Sequence, residues 1–191
     1  MAEPGKFPQQ RIGVFVDVQN MYYSARAIHG KKVNFKNVLE HAVAGRQLVR
    51  AMAYGITTEE AHEEEFHEAL GKQGFEVKSK PLQTFVGGQK KGDWDVGIAM
   101  DILRLGSKID VAVLVSGDGD FVPLIEYARD QGLRTELISF KESTSHALIE
   151  AVDSYIDMSA DPATFLIGPA RTPNRRSSSS GTTRRRTPRI I

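Results

Sequence analysis

A chain of 191 residues with 40% apolar side chains is long enough for one domain with a real core and too short to expect two. It contains no cysteine, which excludes a disulfide framework and any thiolate zinc or iron–sulfur centre. The formal charge of +1 is unevenly spread: residues 171–191 hold seven arginines and no acid, leaving 18 basic against 24 acidic residues, a formal −6, in residues 1–170.

Met1 to Gln10 is polar and proline-bearing with no apolar h-region. No later apolar run approaches the roughly 20 residues needed to span a bilayer, so a cytoplasmic protein without a membrane partner is expected. Apolar runs rich in β-branched residues predict strands at Ile12–Val18, Leu48–Tyr54, Phe75–Lys78, Val111–Val115, Thr135–Ile138 and Tyr155–Met158. Apolar residues at three- and four-residue spacing predict helices at Met21–Ile28, Phe35–Val43, Glu59–Gln73, Trp94–Leu105, Val122–Asp130 and Thr144–Val152. Thr57 or Thr58 before Glu59 marks a helix start, and Gly71, Gly74 and Gly132 sit where C-terminal caps belong. Leu82–Lys91, with Gly87–Gly88 in its middle, reads as a short hairpin or mobile loop. The last stretch, rich in Ser, Pro and Arg, cannot bury enough surface to offset its ordering entropy. The expected organisation is an extension at 1–10, a domain at 11–160 and a disordered basic tail at 161–191.

Strands alternating with helices imply a parallel sheet covered on both faces. The runs GVFVDV and VAVLVSG are nearly continuously apolar, as central strands buried on both faces should be, and are placed side by side. Ligands of such sheets bind outside the carboxyl ends of the strands, where the winding direction reverses. Asp17 and Asn20 follow the first run; Asp118 and Asp120 follow the second. Each has an ordinary alternative, since Asp, Asn and Gly are turn residues and Asp120 is placed to cap the helix starting near Val122. Together they repel one another unless a cation neutralises them. Asp95 shares its helix stripe with Ile98, Ala99 and Ile102 and so points toward the sheet. Its alternative is dipole complementarity in a first turn. Asp101 is read as an i,i+3 partner of Arg104.

Oxygen donors without a His or Cys cluster suit Mg²⁺ or Mn²⁺ rather than Zn²⁺. The five histidines are scattered, and no G-x-G-x-x-G or G-x-x-x-x-G-K-[ST] loop is present.

Val14-Phe15-Val16-Asp17-Val18-Gln19-Asn20, Lys91-Gly92-Asp93-Trp94-Asp95-Val96 and Val115-Ser116-Gly117-Asp118-Gly119-Asp120-Phe121, followed by Pro123-Leu124, together resemble the NYN domain family, and within it the LabA-like subgroup. The resemblance covers roughly Arg11 to Ser159. It implies an α/β fold, a Rossmannoid PIN-like three-layer sandwich with a central, mainly parallel sheet whose aspartates bind a divalent metal. It further implies a metal-dependent ribonuclease hydrolysing RNA phosphodiester bonds, with Asp17, Asn20, Asp95, Asp118 and Asp120 as the site and Asp17, Asp95, Asp118 and Asp120 as metal ligands.

In that scheme Asn20 orients water or a phosphate oxygen, and Asp120 holds the metal through water or acts as base. Positive charge for RNA, expected to be single-stranded, comes from Lys78, Lys80, Lys90 and Lys91, which read equally as a solvated edge, and from the arginine tail. Tyr22, Tyr23 and Phe121 are candidates for base stacking, with Tyr22 or Tyr23 alternatively in the core. A non-catalytic RNA-binding or regulatory module is the alternative function. Another metal-dependent phosphoesterase is a third reading, since Asp118-x-Asp120 also resembles the acidic pair of Toprim domains. A homodimer and a monomer are both left open.

Overall fold

The computed structural model describes residues 6–57, 61–81, 83–84, 90–91 and 93–168, with the backbone alone at 61–63, 83–84 and 90–91. Its elements are β1 (Arg11–Asp17), α1 (Val18–His29), β2 (Lys32–Val33), α2 (Phe35–Val43), β3 (Gln47–Thr57), α3 (Ala61–Lys72), β4 (Glu76–Pro81), β5 (Gln83–Thr84) and β6 (Lys90–Lys91). There follow α4 (Asp95–Leu105), β7 (Val111–Val115), α5 (Val122–Asp130), β8 (Arg134–Ser139), α6 (His146–Ala151), β9 (Ser154–Asp157), α7 (Pro162–Phe165) and β10 (Leu166–Ile167).

Six strands form one sheet in the order β4-β3-β1-β7-β8-β9, every pair parallel. Counted along the chain this is the doubly wound order 3-2-1-4-5-6, which reverses between β1 and β7. Those two strands are neighbours, Ile12 opposite Val111 through Val16 opposite Val115. Their alternation feeds two cores. Val14 and Val16 of β1 and Val113 and Val115 of β7 join Met21, Val38 and Phe140 on one face. Phe15 and Leu114 meet Ile98, Ile102, Phe121 and Ile125 on the other. The layers are thus α1–α3, sheet, and α4–α6.

The edge strand β4 reads Glu-Val-Lys-Ser-Lys-Pro, the charges and proline that discourage pairing with another chain. A bidentate ion pair between Arg46 and Glu136, both buried, joins the α2–β3 turn to β8, with bonds of 2.9 and 2.8 Å. Burial alone would raise the Glu136 carboxyl; Arg46, aided by Arg134, outweighs it and holds the group below its usual range.

Residues 161–167, assigned by sequence to the tail, are folded. Asp161 caps α7, Phe165 is buried in the first core, and Leu166–Ile167 pair antiparallel with Lys32–Val33. Two aromatic and aliphatic anchors suffice to hold a segment too short to show periodicity. The expected tail from residue 169 onward, Gly87–Gly88, and the helix start at Thr58–Glu59 lie outside the described residues. The backbone of the expected hairpin is present, Gln83 opposite Lys91 and Thr84 opposite Lys90. Gly71 lies inside α3 rather than capping it, whereas Gly74 and Gly132 have positive φ. Among the described residues no helix is long and apolar enough to cross a membrane.

Candidate metal centre

Parity places the site. Asp17 lies two residues beyond Phe15 and therefore on the α4 side of the sheet. In register it stands beside Tyr54 of β3, which stands beside Lys78 of β4. Ser116, the residue directly after β7, has a hydroxyl that donates to Asp17 Oδ2 at 3.4 Å.

Asp17 is only 9% exposed and caps α1, accepting the Asn20 N–H at 3.0 Å. Asn20 in turn accepts the Gly117 N–H on its side-chain oxygen at 2.9 Å, tying the first turn of α1 to the loop after β7. That oxygen is engaged with the scaffold through one lone pair, so Asn20 offers a ligand chiefly its amide donors. Asp118 accepts the Asp120 N–H at 3.0 Å and so caps the short 3-10 turn Gly119–Phe121. Asp120 caps nothing: α5 begins with no side-chain cap.

Oxygens of Asp95, Asp118 and Asp120 all lie within 4.8 Å of one another. Ligands at about 2.0–2.6 Å from a common hard cation are separated by at most roughly 4–5 Å, so the spacing and the all-oxygen donor set fit a divalent ion such as Mg²⁺ or Mn²⁺. Asp17 is outside this trio yet close enough to feel it. Its carboxyl is raised to about 6, first by burial, against the Asn20 N–H bond, and further by the charges of Asp95 and Asp118. The Asp95 carboxyl is also raised, by burial and then by Asp118, Asp93 and Asp120. Burial is the first cause for both, and the facing carboxylates add to it.

Loop geometry explains the glycines of the Ser-Gly-Asp-Gly-Asp run. A Cβ on Gly117 would lie 2.6 Å from the Ser143 carbonyl oxygen, and one on Gly119 would lie 2.8 Å from Ser145 Oγ. The turn after β8 closes directly over the loop, sealed by the Ser145 N–H on the Gly117 carbonyl at 3.0 Å.

The α4 helix, which carries Asp95, is held down by edge strand β4. Lys78 Nζ reaches Asp101 Oδ2 at 2.5 Å, and the Tyr54 hydroxyl donates to the same oxygen at 2.9 Å. Burial pushes Asp101 up, but those two bonds outweigh it and hold the carboxyl below its usual range. Lys80 donates to the Asp93 carbonyl and lies over the Trp94 ring, 4.8 Å from its centroid, while Trp94 N–H donates to the Gly55 carbonyl at 2.6 Å. Asp101 pairs with Arg104 at i,i+3 as expected, at 3.7 Å, and in addition takes Lys78 and Tyr54. One expectation changes: Lys78 and Lys80 are engaged with α4 and the residues just before it instead of standing as a solvated edge. The side chains of Lys90 and Lys91 lie outside the described residues.

Of the aromatic candidates, Phe121 is buried in the second core and has no face for a base, whereas Tyr22 and Tyr23 are both exposed and not core. Sequence reading gave no role to Ser116, although it stands between Asp17 and Asp118, nor to Ser145 and Lys141. Ser145 reaches the site region only because the loop after β8 folds back over Gly117, which no local pattern announces, and exposed Lys141 begins that turn.

The NYN domain model matches residues 11–159. The chain is 30% identical over 161 residues to the low amplitude and bright protein LabA of Synechococcus elongatus, spanning 80% of this chain and 86% of that relative. A crystal structure of a protein of unknown function from Vibrio parahaemolyticus superposes with a TM-score of 0.78 at 32% identity, covering 85% of this chain and 99% of the other.

Proposed function

The chain belongs to the NYN domain family, and from that premise we propose that it is a divalent-metal-dependent ribonuclease acting on single-stranded RNA in the cytoplasm. The observation that carries the reading is the approach of three carboxylates from α4 and the β7–α5 loop to one point at the switch between β1 and β7.

Asp95, Asp118 and Asp120 would hold the ion, with Asp17 completing the set from β1. When bound, Mg²⁺ or Mn²⁺ supplies Lewis acidity to the scissile phosphate and lowers the pKa of attacking water. Asp120, exposed and free of capping duty, would hold the ion through a water or take the proton of the attacking water. A water oxygen bonds to phosphorus, the bond from phosphorus to the leaving sugar oxygen breaks, and the leaving oxygen takes up a proton from solvent. Asn20 offers its amide donors to water or a phosphate oxygen. Lys141, exposed at the start of the turn that closes over Gly117, and the seven arginines of residues 171–191 supply cationic charge for the RNA backbone.

The test is cleavage of an end-labelled single-stranded RNA with Mg²⁺, with Mn²⁺ and with chelator, alongside Asp118→Asn. Expected are metal-dependent products with wild type and a loss of at least about 100-fold in the variant, the scale of removing a group that stabilises developing charge. RNA binding without metal-dependent cleavage would instead mark a regulatory module.

A further inference from the structure

Helix α4 is apolar on two opposite sides. Ile98, Ile102 and Leu105 face the sheet, with Asp101 among them. Val96, Met100 and Leu103, exposed by 74%, 41% and 44%, occupy the far side at i, i+4 and i+7 and form one continuous stripe. Scattered exposed apolar side chains are ordinary; a stripe where a surface helix normally turns polar is not.

We propose that this stripe is a self-association surface whose occupant is the same face of a second copy of this chain, the two α4 helices lying antiparallel across a two-fold axis. Charge sets the direction. The N-terminal end of the helix is acidic, with Asp93 and Asp95, and its C-terminal end is basic, with Arg104 and Lys108. Antiparallel pairing brings each acidic end against the basic end of the other copy, whereas parallel pairing would stack like charges. Exposed pairs of this kind contribute little affinity but fix orientation. In this register Val96 of one copy meets Leu103 of the other, Met100 lies beside the axis, and Arg104 of the second copy approaches the end of α4 that carries Asp95. The contact is isologous, as a closed dimer requires. The formal −6 of residues 1–170 and the seven arginines of residues 171–191 sum to +1 per chain, so net repulsion between two whole chains is small. One helix face is smaller than the about 800 Å² per partner of a standard stable interface, so the dimer is reversible.

The absence of cysteine gives the test a clean background. Sedimentation velocity over a concentration series should show a monomer–dimer equilibrium in wild type and a monomer in Met100→Glu, the melting temperature of the two agreeing because the position is exposed. On mild oxidation, Met100→Cys should yield a covalent dimer. Val96→Cys and Leu103→Cys should each remain largely monomeric alone and cross-link when mixed. A monomer at every concentration overturns the proposal and leaves the stripe to another protein or to residues 169–191. A dimer indifferent to Met100→Glu, or one in which Val96→Cys cross-links to itself as readily as Met100→Cys does, overturns it equally.

Discussion

At Asp17 the demands of the site and of the fold conflict. Its carboxyl is raised to about 6 by burial and neighbouring acids, against about 3.9 for an unperturbed aspartate. Between these values the folded state binds more protons than the unfolded chain, so stability falls as pH rises through the window, and the loss is complete above it. Two units correspond to about 3 kcal/mol as an upper scale. Asparagine keeps the capping oxygen that receives the Asn20 N–H. Asp17→Asn should therefore be more stable than wild type in chelator at pH 8, by about 1–3 kcal/mol, the difference vanishing near pH 4. Urea unfolding at a series of pH values measures it; an unstable variant at pH 8 would make Asp17 a structural residue. Added Mn²⁺ should stabilise wild type more than the variant. The acids themselves were legible in sequence because each follows a strand or opens a helix at a predicted boundary. Which of them groups most tightly was not, since the 4.8 Å trio depends on how the β7–α5 loop is bent. Sequence offered a helix cap to Asp120; in the structure Asp118 is the capping residue, and of the short 3-10 turn that precedes α5.

At the level of elements, the six main strands and six main helices were readable because each is long enough to show its period. Two-residue strands such as β2 and β10 carry no period and were not. Nor were the contacts of β4 with α4, which join residues without local relation. Those contacts set the pose of Asp95. Asp101→Ala leaves the buried Tyr54 hydroxyl only the weak Met52 Sδ acceptor at 3.5 Å and Lys78 without its carboxylate, and should cost about 2–4 kcal/mol in urea unfolding. Lys78→Met, which leaves Asp101 bonded to Tyr54 and paired with Arg104, should cost less; equal costs would argue against the shared oxygen. In the loop after β7, Gly117→Ala would press a methyl against the Ser143 carbonyl at 2.6 Å. Because that neighbour is backbone, the turn must move. A loss of about 2 kcal/mol or more is expected, together with weaker Mn²⁺ binding followed by calorimetry, since Asp118 is the next residue.

Across the whole molecule, the Arg46–Glu136 pair fastens the first half of the sheet to the second over 90 residues of sequence. Arg46→Met should cost about 3–5 kcal/mol by leaving Glu136 buried and under-compensated, and Arg46→Met with Glu136→Leu should recover much of it. A double variant as unstable as the single would show that the pair contributes more than mutual compensation. The charge asymmetry between body and C-terminus makes a separate prediction. Deleting residues 171–191 should weaken RNA binding across sequences and flatten its salt dependence by about 0.7 per lost phosphate contact; parallel slopes for the two proteins would remove that segment from RNA binding.

The strand order has a consequence in time as well as space. The first strand synthesised is central, yet its second neighbour, β7, is among the later ones, and the Ser116–Asp17 contact spans 99 residues. A nascent chain that has emerged only as far as α4 presents Asp17 and Asp95 but neither Asp118 nor Asp120, and one flank of β1 has nothing to pair with. Closure of the sheet and completion of the carboxylate trio are therefore one late event, governed by a non-local pairing that is intrinsically slow. Under the proposed ribonuclease function, that ordering would keep the site unassembled until β7 and the loop after it have been synthesised.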